Sequence, residues 1–169
     1  MSKMNVEQTL VLFKPDTVQR GVVGEILTRF ERVGLKIVGT KMIAPDKDHY
    51  YKHYENIGQM VTRRGQKAFD VTLAMMGEGP VIAMVFEGVS AVSLVRKMVG
   101  GTEPKSADPG TIRGDFSHMS FEYADTAGKG IPNLLHASGD PEEAEKEINH
   151  WFSDNELFDY NALNDKFTL

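Results

Sequence analysis

Apolar residues fall along this chain in short blocks that alternate between strand-like and helix-like spacing. Glu7–Phe13 (EQTLVLF) is a β-rich run that stops at Lys14-Pro15 and predicts a strand ending at a turn. Val18, Val22, Ile26, Leu27, Phe30 and Val33 then recur at helical spacing through Asp16–Val33, and Gly34 closes the pattern. Leu35–Ile43 alternates as a second strand and is broken by Pro45. Asp46 is placed to cap a polar helix through Tyr54. The helical pattern over 57–77 is weakened by Gly58, Gly65 and Asp70. Pro80–Glu87 (PVIAMVFE) predicts a buried strand. Ser90–Val99 predicts a helix with Val92, Leu94, Val95 and Met98 inward, ended by Gly100-Gly101. Residues 101–132 show no period and are rich in Gly, Pro, Asp and Ser. Asn133–Ala137 is a short apolar strand, and Asp140–Phe152 an amphipathic helix opening on Pro141 and acids.

The order is therefore β-α-β, a helical stretch, and β-α-β. Two such units predict an α/β chain (an α+β sandwich) of the ferredoxin-like type: a four-stranded antiparallel sheet with helices packed on one face. A doubly wound parallel sheet is the runner-up, disfavoured because only four strands are on offer. Neither an internal repeat nor a linker interrupts the 169 residues, so residues 1–169 read as one domain.

Composition narrows the function classes. The chain has no cysteine, which excludes a disulfide scaffold, a thiol nucleophile and a zinc–cysteine site. Its longest apolar run, Val81 to Phe86, is too short to span a bilayer, and Met1–Lys14 lacks the apolar stretch of a signal peptide. The cytoplasm follows as the default compartment, with no membrane partner. A net charge of −5 argues against a nucleic-acid partner, and Arg63-Arg64 is the one strong basic doublet. Charge is also unevenly placed: residues 140–169 carry net −7, leaving +2 on residues 1–139. Basic ligands for an anion should come from that first part.

No P-loop, dinucleotide-binding glycine pattern or His-Glu-x-x-His motif is present. Three signals remain. The aperiodic stretch centres on Pro109-Gly110-Thr111-Ile112-Arg113-Gly114-Asp115, where an Arg between glycines suits phosphate binding. Lys14 sits at the C-terminal end of a strand, where ligands of α/β folds often bind. His136 ends an apolar strand between Asn133 and Ser138, with Glu147 following on a helix; a carboxylate would hold its tautomer. Taken singly, each has a plainer reading: a surface turn, an exposed lysine, a hydrogen-bonded core histidine. His49 and His53 are spaced i, i+4, and a solvated polar helix face is favoured for them over a metal site.

Together the segments resemble the nucleoside diphosphate kinases. The resemblance runs over nearly the whole chain, through Phe13-Lys14-Pro15-Asp16, His53-Tyr54, Gly79-Pro80-Val81, Arg96 to Thr102, Pro109 to Asp115, Asn133-Leu134-Leu135-His136-Ala137-Ser138 and Ala144 to Ile148. It implies ping-pong phosphoryl transfer: the γ-phosphate of ATP or another nucleoside triphosphate moves to His136 and then to a nucleoside diphosphate. It further implies Lys14, Arg96, Thr102 and Arg113 as phosphate ligands and Tyr54 beside the histidine. Asn133 with Lys14 would meet the sugar hydroxyls, and Glu147 would orient His136, with Ser138 next to it. Mg²⁺ would arrive with the nucleotide, bridging phosphates rather than resting in a protein cage. The family's assemblies imply a homohexamer or tetramer, with the apolar residues of 114–132 at subunit contacts.

The chain departs from the family pattern in three places. Asp140 stands where the common pattern has a second serine after the histidine, and the segments between Tyr54 and Gly79 and between Arg113 and Asn133 are longer. Phe69 is the nearest candidate for the aromatic residue that stacks the base.

Overall fold

The computed structural model describes residues 5–168, so the first four positions of the N-terminal stretch lie outside it. The elements in order are β1 (Val6–Phe13), α1 (Pro15–Gln19), α2 (Val23–Arg32), β2 (Lys36–Ile43), α3 (Lys47–Tyr51), α4 (Met60–Arg64), α5 (Gln66–Met76), β3 (Val81–Val89), α6 (Ala91–Val99), α7 (Ile112–Phe116), α8 (Phe121–Thr126), β4 (Leu135–Ala137), α9 (Pro141–Trp151) and α10 (Asp165–Thr168). A π-helical turn, Lys52–Ile57, follows α3. The four strands form one sheet in the order β2-β3-β1-β4, and every neighbouring pair is antiparallel. This is the ferredoxin-like sheet that the order of elements predicts.

Helices cover both faces of it, not one. Leu10 and Leu12 of β1 pack with Tyr50, Phe69, Met76, Ile148 and Trp151 on one side. Val11 and Phe13 pack with Ile26, Phe30, Val95 and Val99 on the other. Leu10 through Phe13 are therefore all at 0% exposure, which is why the strand is a continuous apolar run and not an alternating one.

Several local outcomes differ from the pattern-based expectation. The helix predicted over Asp16–Val33 is two helices, because Gly21 takes φ +68° between α1 and α2. The aperiodic stretch 101–132 holds α7 and α8, each too short for periodicity to register. The Asp46 cap is as expected, its carboxylate accepting the His49 N–H at 2.8 Å, and the Asp140 carboxylate accepts the Glu143 N–H at 2.8 Å in the same way. Beyond α9 the chain runs along β2, whose bulge between Ile37 and Gly39 leaves the Val38 carbonyl to accept the Phe158 N–H at 2.8 Å.

Gly100 fixes the end of α6 with φ +86°, and a Cβ there would lie 2.5 Å from Thr111 Oγ1. Gly100→Ala is predicted to cost about 2–4 kcal/mol, combining left-handed strain with overpacking. Urea unfolding measures it; a loss below about 0.5 kcal/mol, the scale of an ordinary surface substitution, would show that Thr111 gives way freely.

Candidate active site

The site is built where β4 meets β1. Leu12 faces His136 across the sheet, which places the imidazole beside the C-terminal end of β1, where Lys14 begins α1. The lead-in to β4 is sharply bent. Leu134 is fully buried at φ +73°, a conformation that a branched side chain adopts only when its surroundings impose it. Its N–H donates to Asp16 Oδ2 at 3.0 Å, and its carbonyl accepts the Lys14 N–H at 2.9 Å and the Thr17 hydroxyl at 2.5 Å. Three residues on either side of the start of α1 thus clamp one strained peptide.

The bend aims the carbonyls of Asn133 and Leu135 at one guanidinium. Arg113 donates from Nε to Asn133 O at 3.0 Å, from Nη2 to Leu135 O at 2.6 Å and from Nη1 to Gly100 O at 3.1 Å. Asn133 in turn donates from Nδ2 to Thr102 O at 2.9 Å and accepts Lys14 Nζ on Oδ1 at 2.7 Å. Lys14, Arg113, Asn133 and Thr102 are therefore one network.

Behind His136 lies a buried carboxylate. Glu147 on α9 is at 0% exposure; its Oε1 is 2.7 Å from His136 Nε2, and its Oε2 accepts the Ser138 hydroxyl at 2.6 Å. With the Nε2 proton directed at Glu147, the other ring nitrogen, Nδ1, carries the free lone pair. Tyr54, on the π-helical turn, sets its ring 6.2 Å from that of His136 at 82°. Its hydroxyl is buried with no partner among the described residues, and burial pushes its pKa up.

These groups open onto a cleft of about 510 Å³. Lys14, Tyr54, Arg96, Thr102, Arg113, Asn133 and His136 all line it. So do Arg63 and Arg64, which the sequence alone presents only as a basic doublet. The doublet is the signal; only the fold shows that α4 sets its two exposed side chains at the cleft. All five cationic side chains come from residues 14–113, as the charge division requires. They repel one another, and the Asp16 carboxylate offsets this only in part. Burial first, then the Arg113 charge, brings Lys14 down to about 7; burial and the Arg96 and Arg64 charges bring Arg113 down to about 10.

Two expectations are corrected. Phe69 does not reach the cleft: it is 4% exposed, packed in the core and edge-on to Tyr51 at 5.7 Å. Met60, Thr72, Met75 and Ile131 line the cleft instead, and an adjoining hollow of about 400 Å³ lined from α5 and α8 shares Met60, Arg64, Thr72 and Ile131 with it. His53 is not on a solvated face: it is 1% exposed, with Trp151 Nε1 donating to its Nδ1 at 3.1 Å.

Donor atoms of His53, His136 and Glu147 lie within 4.8 Å of one another. Two imidazoles and one carboxylate already engaged in a hydrogen bond do not suit Mg²⁺, which takes oxygen ligands in an octahedron. The cationic end of the cleft likewise offers N–H donors.

Comparison with known proteins agrees with this geometry. A family described as "Nucleoside diphosphate kinase" matches residues 7–157. A nucleoside diphosphate kinase of Borreliella burgdorferi is 44% identical over 157 residues, covering 93% of each chain. One from Pyrococcus furiosus is 46% identical over 162 residues, covering 96% of this chain and 92% of its own. Among solved structures, a transition-state mimic of the Borrelia burgdorferi nucleoside-diphosphate kinase with bound vanadate and ADP superposes with a TM-score of 0.95 at 42% identity, covering 98% of both chains. The Halobacterium salinarum enzyme in complex with CDP gives 0.80 at 37% identity, covering 95% of this chain and 97% of its own.

The Lys14 amine is predicted to titrate with a midpoint near 7, against 10.5 for an ordinary lysine, visible in its ¹³Cε shift. Between those two values the folded chain binds fewer protons at Lys14 than the unfolded chain does. By linkage, this group's contribution to stability rises with pH across that window. Lys14→Met should flatten that part of the stability–pH curve. A midpoint above 10 would show that the burial of the amine is relieved in solution.

Proposed function

Because this chain belongs to the nucleoside diphosphate kinase family, we propose that His136 is the residue that carries the phosphoryl group in its cleft. The protein is a phosphotransferase that moves the γ-phosphate of a nucleoside triphosphate to a nucleoside diphosphate in two half-reactions through a phosphohistidine. The observation that carries the assignment to His136 is the buried Ser138–Glu147–His136 chain set beside the cationic cluster.

In the first half-reaction the Nδ1 lone pair attacks the γ-phosphorus. The bond from that phosphorus to the β,γ-bridging oxygen breaks, and its electron pair leaves with the diphosphate. Glu147 holds the Nε2 proton and balances the positive charge that develops on the ring. In the second, a terminal oxygen of the acceptor diphosphate attacks the phosphohistidine, the P–N bond breaks, and the pair returns to Nδ1. No net proton transfer is needed.

Phosphoryl transfer is governed by positioning and electrostatic stabilisation. Lys14, Arg96 and Arg113 with Thr102 are assigned to the phosphates, and Arg63 and Arg64 extend that cationic wall from α4. The unpartnered Tyr54 hydroxyl is assigned to a phosphoryl oxygen, and Asn133 with Lys14 to the sugar hydroxyls. The chemistry suits a divalent cation; Mg²⁺ is assigned to the nucleotide's own phosphates. Met60, Thr72, Met75 and Ile131 offer a base aliphatic contact and few hydrogen-bonding groups, so ATP and other nucleoside triphosphates fit the same reading.

Incubation with γ-labelled ATP and Mg²⁺ should label the protein with an acid-labile, base-stable phosphate at one site per chain, lost in His136→Asn. Label that survives acid, or that persists in the variant, overturns the assignment.

The same reading takes the whole chain as one domain working in the cytoplasm as a homo-oligomer, a hexamer by family analogy and otherwise a tetramer. No described helix is long and apolar enough to cross a membrane. Support for assembly comes from a different place than expected. Of the apolar residues in 114–132, Phe116 packs against the core and under Arg29, Ile131 lines the cleft, and Phe121 and Tyr123 are the exposed large ones. The larger exposures are C-terminal: Phe158 at 65%, Leu163 at 99% and Phe167 at 80%. Large apolar side chains exposed in this number suit a subunit contact. Light scattering should give a multiple of the chain mass; an active monomer at micromolar concentration refutes the assembly.

A further inference from the structure

His53 takes no part in the phosphoryl transfer just described, yet it is buried against the two residues that do. Its ring stands edge-on to His136, with centroids 4.5 Å apart at 82°, and its Nδ1 lies 3.6 Å from Glu147 Oε1. That approach is not an ion pair. Nδ1 is occupied as the acceptor of the Trp151 indole N–H at 3.1 Å, so the ring proton is on Nε2, which has no partner among the described residues.

We propose that His53 is a positioning residue for the phosphoryl carrier: a neutral ring, anchored by Trp151, that braces the His136 imidazole edge-on and leaves Glu147 Oε1 to His136 alone. The proposal rests on His136 being the carrier. Its logic is competition for one oxygen. Glu147 Oε2 is taken by Ser138, so Oε1 is the single acceptor left for an imidazole. A protonated His53, 3.6 Å away, would draw that oxygen toward itself and release His136 Nε2–H. The Nδ1 lone pair would then lose its fixed direction into the cleft.

Most of what packs around His53 keeps it neutral. His136 faces it from β4, Glu147 and His150 from α9, His49 from α3, Lys14 from the end of β1, and Tyr54 from its own turn. Burial, with the four cationic or potentially cationic neighbours, holds it well below the usual histidine range. Glu147 is the one opposing charge, and it is held by His136 and Ser138. The π-helical turn brings His53 and Tyr54 inward together, a local irregularity of the kind that recurs at functional sites.

The test compares wild type with His53→Ala, His53→Asn and Trp151→Phe. Asn returns an acceptor near the Nδ1 position; Trp151→Phe removes the anchoring donor while keeping an aromatic ring in the core. The readouts are the single-turnover rate of phosphohistidine formation, ADP affinity, and the ¹⁵N shifts of the His136 ring. In wild type, His136 should show one bare nitrogen and one protonated nitrogen, a single tautomer. His53→Ala should average the two signals and slow phosphorylation about 10²-fold, the scale of a small misplacement at the reacting atom. Trp151→Phe should slow it about tenfold, and His53→Asn should recover most of the loss. ADP affinity should stay within about twofold throughout, since His53 does not itself line the cleft. Any variant that folds, by thermal melt and ADP binding, serves as the comparison. An unchanged His136 tautomer and rate in Trp151→Phe, or in a folded His53→Ala, overturns the proposal. Acid-labile label that persists in His136→Asn refutes instead the reading on which it rests.

Discussion

The arrangement of this site depends on one buried carboxylate. Glu147 is fully enclosed, and an enclosed carboxylate is tolerated only when its oxygens are hydrogen-bonded. Ser138 supplies one donor and His136 the other, and both come from β4 and its exit. Helix α9 can therefore dock on the sheet in one rotation. Ala144, Ile148 and Trp151 supply the apolar driving force for that docking, while Glu147 fixes its register. Ser138 is tied down further, because the Leu10 N–H donates to its hydroxyl at 3.2 Å. The requirement to satisfy Glu147 is thus the same requirement that turns His136 Nε2 inward and Nδ1 outward.

The opposite wall carries an unbalanced charge. Lys14, Arg96, Arg113 and Arg64 converge with Asp16 as the carboxylate opposing them, and burial weakens the solvation of the Lys14 and Arg113 charges. The network that holds them uses neutral acceptors: Arg113 is held by three backbone carbonyls and Lys14 by an amide oxygen. A carboxylate in their place would satisfy them and blunt their attraction for phosphate. Like-charge repulsion held in place by neutral hydrogen bonds is a site organised before its ligand arrives, which is what electrostatic stabilisation of a transferring phosphoryl group demands. Asp140 and Glu143 also line the cleft, and the Glu143 carboxyl is raised above its usual range, by burial first and then by Glu147.

What the sequence shows of this follows from the range of each interaction. The strands are legible because burial on both faces makes β1 and β3 continuous apolar runs. Their antiparallel order is legible from the alternation of elements. Lys14, Arg113, Asn133, His136 and Glu147 are legible through the motifs around them. The rotation of a helix about its own axis is not local information. Phe69 and Arg64 lie on neighbouring helices five residues apart, yet Phe69 enters the core and Arg64 the cleft. The left-handed residues Gln59 and Gly65 that flank α4 set that difference, and no periodicity reports them. His53 is hidden for the same reason: a π-helical turn shifts the phase of a helix whose polar spacing otherwise places the residue outside.

Leu134 shows how far the chain is bent to make the site. Consecutive carbonyls of an extended strand point to opposite sides, and alternate ones to the same side. Asn133 and Leu135 therefore share a side in principle, but an extended Leu134 would carry the Asn133 side chain along with a regular strand. Placing Leu134 at φ +73° breaks that geometry: both flanking carbonyls still reach Arg113, while the Asn133 amide is left spanning Lys14 and Thr102. Glycine would adopt this backbone without strain, at about 1 kcal/mol less local cost. Its absence has a reason on the other side of the peptide. The Leu134 side chain is fully buried among Ile112, Leu135 and the apolar face of α6, where removing it would leave a cavity costing about 2–5 kcal/mol. The cavity would cost more than the backbone strain does, so the strained residue is a leucine, and the clamp from Lys14, Asp16 and Thr17 holds it where the site needs it.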